Sequence, residues 1–239
     1  MRVHLLTTIA ALAVAMTLIE PPARAQDWEY DLYVYGLGAG MDGTAGIGPV
    51  DVAVDVGFSD ILDNLELGFM GSFRAKKGDW AVMVDAIFMG LGAANERVDI
   101  DIDEVILEVD VAYQFSEVFE LLFGLRYVDI DTDIDFLGPL GVRASAGDNW
   151  VDPLVGLQIQ APMGDKWTFL GRLDVGGFGV GSDFSFQGAL HLGYRLGESS
   201  TLTLGWRYLD VDYEDGDGLD RFKYDIASSG PQVGVVFHF

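Results

Sequence analysis

Apolar and polar residues alternate with a period of two through much of this chain. Between about 104 and 115, Val105, Leu107, Val109, Val111, Tyr113 and Phe115 fall on one side of an extended backbone, and Glu104, Glu108, Asp110 and Gln114 on the other. Strand side chains point alternately to two faces, so this spacing makes one apolar face and one charged face. Some ten segments of this kind recur, at about 28–39, 64–75, 79–91, 104–115, 119–131, 149–161, 166–178, 183–196, 200–212 and 226–239. Half of all residues are hydrophobic, yet the formal net charge is −24. A chain both this apolar and this acidic must segregate the two kinds of residue in space. The charged face carries Glu66, Arg74, Asp85, Glu108, Asp110, Arg126, Asp152, Arg172, Asp174 and Arg207, too many charges to fill a soluble core. Charges lining a lumen in mutual pairs, with the apolar face against lipid, satisfy the pattern.

Beyond residue 25 no uncharged run approaches the roughly 20 residues of a membrane helix. The other way to span a bilayer is a closed barrel, in which every backbone group is paired between strands. The connections agree. Those near 76–79, 115–119, 162–166 and 197–200 are short, and those at about 40–63, 91–103, 131–148 and 213–225 are long; the connection near 179–182 is the exception. Transmembrane barrels have short periplasmic turns and long outer loops. The predicted fold is all-β: an antiparallel up-and-down transmembrane β-barrel of about ten strands, with eight or twelve left open. Val50 to Phe58 reads as a strand and Ser59 to Asp63 as a capped helical turn. They belong to a long first loop, a lumen plug or an extra wall strand.

Both ends of the sequence carry signals. Arg2, the apolar stretch Leu5 to Ile19 and the small-x-small sequence Ala23-Arg24-Ala25 read as a signal peptide, residues 1–25, which leaves 26–239 as the barrel domain. There is no Cys, hence no disulfide framework. The last run places Val233, Val235, Phe237 and Phe239 on one apolar face. This ending resembles the C-terminal strand of bacterial outer-membrane barrels. With the strands at 64–91, 119–130 and 150–212, it makes the chain similar to small Gram-negative outer-membrane β-barrel proteins, the opacity-protein and OmpA-like porin-type barrels. The resemblance implies the outer membrane as location. It implies outer-membrane lipid and lipopolysaccharide as surroundings, and barrel-assembly machinery engaging the C-terminal strand. No cofactor is implied, and so acidic a chain is no partner for nucleic acid.

Within the chain, 122–131 repeats at 203–212: Gly124, Arg126, Tyr127, Asp129 and Asp131 match Gly205, Arg207, Tyr208, Asp210 and Asp212. Parity places the Gly and Arg in the lumen and the Tyr in an outward aromatic girdle. A structural salt-bridge network is favoured for these arginines over a selectivity filter. Asp99, Asp101 and Asp103, then Asp129, Asp131, Asp133 and Asp135, then Asp210 and Asp212 alternate where strands leave the membrane. Divalent cations, bridging to lipopolysaccharide phosphates, are the sharper reading of these runs. None matches a calcium-loop spacing, so a solvated like-charge rim is favoured. His191 shares its face with Ser185, but six strand residues, roughly 20 Å, separate them, beyond nucleophile–base reach. The expected function is structural or surface-interacting and non-enzymatic. The alternatives are a narrow cation-preferring channel and, behind it, a lipid A-modifying enzyme.

Overall fold

The computed structural model describes residues 28–94, 98–136 and 143–239. The predicted signal peptide lies outside them, as do the side chains of Glu66, Asp99 and Asp135. Twelve strands and one short helix follow in order: β1 (Glu29–Leu37), β2 (Gly40–Ile47), β3 (Val50–Val56), α1 (Phe58–Asp63), β4 (Leu65–Lys77), β5 (Trp80–Ala94), β6 (Val98–Gln114), β7 (Phe119–Phe136), β8 (Arg143–Met163), β9 (Trp167–Gly177), β10 (Phe184–Arg195), β11 (Ser200–Asp215) and β12 (Phe222–His238). β1 and β4 to β12 pair antiparallel in sequence and close on themselves through β1 and β12. The wall is therefore a ten-stranded up-and-down barrel, as the alternation predicts.

Closure is made by the last residues. Asp31 to Leu37 pair with His238 to Gln232, and the backbones of Tyr30 and Phe239 exchange hydrogen bonds of 2.9 and 3.3 Å. A closed ring leaves no sheet edge for lipid to meet. Outward side chains form an apolar band: Val82, Val109, Phe123, Leu190, Leu204 and Val233 are exposed. Aromatic residues flank the band. At the rim of short turns, Trp80 meets Tyr113 and Trp167 meets Tyr194, each pair with centroids 4.8 Å apart. Toward the other rim, Phe69 lies near Phe88 and Phe186 near Tyr208. Two aromatic girdles around an apolar belt are the mark of a barrel seated in a bilayer.

The segment 40–63 departs from a plain loop. β2 continues upward from β1 along β12, pairing Gly40 to Ile47 with Ser229 to Phe222, and β3 returns along β2. The valine-rich run is thus an extra strand, but in a hairpin above the wall, so the wall count stays even. The β5–β6, β7–β8 and β11–β12 connections are likewise shorter than the sequence suggests: acidic segments read as loops at 91–103, 131–148 and 213–225 are largely strand extensions. Arg221 ties this outer structure together. It donates to Asp51 at 2.6 Å and to Glu214 at 2.8 Å, and its backbone carbonyl accepts from Gly48 N–H at 2.7 Å. The guanidinium holds both carboxyls below their ordinary range. Depressed carboxylate pKa values stabilise the folded form above the ordinary carboxylate range, and that contribution is lost as pH falls through it. Acidification from about pH 7 to about pH 3 is expected to open the β2–β3 tip to protease at neutral-stable sites nearby. Arg221→Ala is expected to do so already at neutral pH, read by the rate of cleavage within 47–50 in vesicles.

Candidate functional site

Inward positions divide the lumen into layers. At mid-height, Arg126 on β7 is fully buried. It reaches Glu108 on β6 and Asp174 on β9, each at 2.7 Å. Arg172 on β9 reaches the same two acids, at 2.6 and 2.7 Å. The four groups close a ring of alternating charge. Arg172 also holds Asp110 at 2.9 Å. Asp174 accepts from Gln187 Nε2 at 3.0 Å, and Gln187 Oε1 accepts from Arg207 Nε at 2.9 Å. Arg207 donates to Tyr35 at 3.1 Å and approaches Asp85 at 3.4 Å. Hydrogen-bonded charge therefore runs across the barrel through strands that are not wall neighbours. Buried charges persist when each is paired and hydrogen-bonded on several sides.

Not every inward charge joins this network. Arg74 forms a separate pair with Glu120, at 2.6 Å, nearer the short-turn rim. Asp152 has no basic partner among the described residues; it accepts the Ser182 N–H and hydroxyl, both at 2.7 Å. That contact anchors the β9–β10 turn and explains why this outer connection is short. Ser185 accepts from Arg126 at 3.4 Å, while His191 Nε2 has no partner among the described residues.

Above the charges, the lumen turns apolar. Ile87, Ile106, Val128, Ile130, Trp150, Leu209, Val211 and Tyr213 are buried in one cluster with Tyr35. Trp150 stacks on Tyr213 with centroids 3.9 Å apart, drawing β8 toward β11 across the mouth. Sequence reasoning missed this layer, although its signal is present. In both copies of the repeat two inward aliphatic residues follow the arginine, Val128 and Ile130 after Arg126, Leu209 and Val211 after Arg207. A cavity of about 270 Å³ extends from the ion-pair network toward the short-turn rim; Glu108, Arg172 and Arg207 form part of its lining, with Tyr33, Thr203 and His191 further along.

The acidic runs lie outside the barrel. Asp103 stands opposite Asp131, and Asp101 opposite Asp133, on β6 and β7. Both copies of the repeat repeat a local contact there: Tyr127 donates to Asp129 at 2.9 Å and Tyr208 to Asp210 at 3.3 Å. Partial burial and the carboxylates of Asp129, Asp103 and Asp133 push Asp131 up. Among the described residues, no three or more His, Cys, Asp or Glu gather as a metal ion requires.

No protein-family model matches the chain, and no curated protein matches it. Solved structures do. Outer membrane protease OmpT of Escherichia coli is 8% identical, covers 92% of this chain with 99% of its own, and superposes with a TM-score of 0.54. The attachment invasion locus protein Ail of Yersinia pestis is 12% identical over 89% of this chain and 99% of its own, with a TM-score of 0.45. Neisserial surface protein A is 13% identical over 88% and 97%, with a TM-score of 0.35. At such identities the likeness is one of fold. The closed ten-stranded wall, its lipid-facing belt and its girdles make this chain an integral outer-membrane β-barrel protein.

Proposed function

We propose that the protein is a non-conducting, non-enzymatic barrel that acts through its outer extension, as a structural or surface-interacting component of the Gram-negative envelope. The observation carrying this reading is the filled lumen. An ion-pair network crosses it at mid-height, and a packed apolar cluster lies directly above. An ion moving outward would have to displace paired charges and then enter a dry layer, where an unpaired charge costs many kcal/mol. What remains available is the extension: the β2–β3 hairpin, the Arg221 cluster and the acidic β6–β7 face, which this reading sets among lipopolysaccharide head groups. The C-terminal strand, with Val233, Val235, Phe237 and Phe239 outward, is the segment we assign to the assembly machinery.

Planar-bilayer recording tests the reading. The purified protein is expected to insert without stepwise conductance at any voltage, and cation-selective steps would overturn it in favour of a channel. Mass spectrometry of lipid A from overexpressing cells is expected to show an unaltered profile; a new lipid A species that disappears in a His191→Ala variant would replace the reading with an enzymatic one.

A further inference from the structure

The outer crown is not equally tall all round. β8 pairs with β7 as far as Arg143↔Asp135, but with β9 only from Leu154↔Gly176 down. On the other side, β11 pairs with β12 as far as Asp215↔Phe222, but with β10 only as far as Asp212↔Phe184. β9 and β10 therefore stop short of both neighbours, and their connection, 178–183, lies in a notch of the crown. Its height follows from the girdle at the short-turn rim. Phe178 is eleven residues beyond Trp167, and Phe184 is ten residues before Tyr194. At about 3.3 Å per residue and a tilt of about 40°, these two limbs rise roughly 28 and roughly 25 Å. The apolar band of such a barrel is about 25 Å tall, so the turn sits at its upper edge.

The turn is also built unlike its neighbours. Positions 175–182 carry no charge, whereas the β11–β12 connection holds Asp217, Asp220 and Arg221. Phe178 and Val180 are 57% and 73% exposed, and Phe184 at the foot of the turn is 47% exposed. Phe178 has a left-handed backbone, φ 55°, between Gly177 at 84° and Gly179 at 69°. Among the described residues it is the one non-glycine with positive φ, a region that strains a residue carrying a Cβ. Hydrogen bonds hold the strain in place. Gly179 N–H donates to Ser182 O and Val180 N–H to Gly177 O, each at 3.0 Å, and Asp152 fixes Ser182. The left-handed step breaks the alternation that would carry Phe178 inward after Asp174 and Gly176, and Phe178 stands outside the buried lumen cluster. Below the turn, Leu173 and Leu190 continue its exposed apolar surface into the lipid-facing belt.

We propose that the β9–β10 turn is a membrane-contact site: Phe178 and Val180, with Phe184 below them, enter the boundary between hydrocarbon and head groups of the outer leaflet. The partner is a lipid surface, because the patch is continuous with the belt that faces lipid and lies level with its upper edge. Aromatic rings are favoured at that boundary, which gives the strained Phe178 a use that glycine could not supply. The lack of charge fits the same place, since a carboxylate at this depth would have to leave water. The first charge is Asp183, whose N–H donates to Asp212 O at 2.9 Å and which begins the acidic rim.

The chain has no Cys, so Val180→Cys provides a unique attachment point for a nitroxide spin label. The labelled full barrel is placed in phosphatidylcholine vesicles. Power saturation then compares collisions with oxygen, which concentrates in lipid, and with a water-soluble nickel chelate present inside and outside. Leu190→Cys in the belt and Leu219→Cys on the exposed β11–β12 turn give the lipid and water references. The oxygen-to-chelate ratio at Val180→Cys is expected to fall nearer the Leu190→Cys reference; Phe178→Cys serves the same purpose if Val180→Cys does not fold. A ratio nearer the Leu219→Cys reference would overturn the proposal, and so would a label that neither reagent reaches. Neither outcome bears on conductance, so the site and the non-conducting reading fail separately.

Discussion

Replacing Arg126 by methionine is expected to destabilise the barrel by about 3–5 kcal/mol. The guanidinium is fully buried and is the link between Glu108 and Asp174. Methionine matches its length without its charge, so Glu108 and Asp174 lose a shared counter-ion and keep only Arg172. The cost comes mostly from leaving buried carboxylates under-compensated, since the net worth of an intact buried pair is small. The urea midpoint of the protein in vesicles measures it, alongside the temperature at which the folded band is lost on electrophoresis. Adding Glu108→Gln and Asp174→Asn to Arg126→Met is expected to recover a substantial part of the loss. A single variant within about 1 kcal/mol of wild type would show that the ring contributes little to holding the wall closed.

Gly124→Ala is the second large effect. A Cβ on Gly124 overlaps the carboxylate of Asp110 and the carbonyl of Val109 on the neighbouring strand. The backbone cannot yield without breaking the β6–β7 ladder, and Asp110 cannot yield without leaving Arg172. Overpacking alone costs about 1–3 kcal/mol, and the displaced ion pair adds to it. The equivalent glycine in the repeat, Gly205, faces the same problem against Leu190 and His191. Folding yield from urea into vesicles is expected to fall sharply for Gly124→Ala. Gly124→Ala with Asp110→Ala is expected to fold better than Gly124→Ala alone, because the nearest overlap is gone. If both glycine variants refold at the wild-type yield, the close approach of side chain to strand at this layer is not a constraint.

These two positions show what the repeat encodes. Gly, Arg, then two aliphatics on the inward face, and Tyr, Asp, Asp on the outward face, specify a cross-section from mid-lumen to outer rim in ten residues. Parity alone points the Tyr-Asp-Asp half outward and the glycine and arginine inward. The aliphatic layer above the arginine is hard to see in the sequence because its residues look like any apolar strand residues; only their parity, shared with the charges, assigns them to the lumen. The same parity groups Asp152 with the ion pairs, yet in the structure it holds Ser182 instead. Parity says which way a carboxylate points and nothing about which group meets it.

The sequence by itself determined the properties that depend on local periodicity. These are the ten wall strands, the two faces of each, and a lipid-facing belt. Tertiary structure alone decided what depends on closure. Arg207 meets Tyr35 and Asp85 because ring closure brings β11 to within two strands of β1 and four of β5, a relation set by strand number and register. The valine-rich run became a hairpin above the wall because β12 is longer than β1 and offers its upper half to β2. β1 stays paired with β12 as far as Leu37 but with β4 only as far as Val34, a difference that no single strand's periodicity carries. A period of two is written into each strand, whereas the register between strands is settled only when the ring is complete.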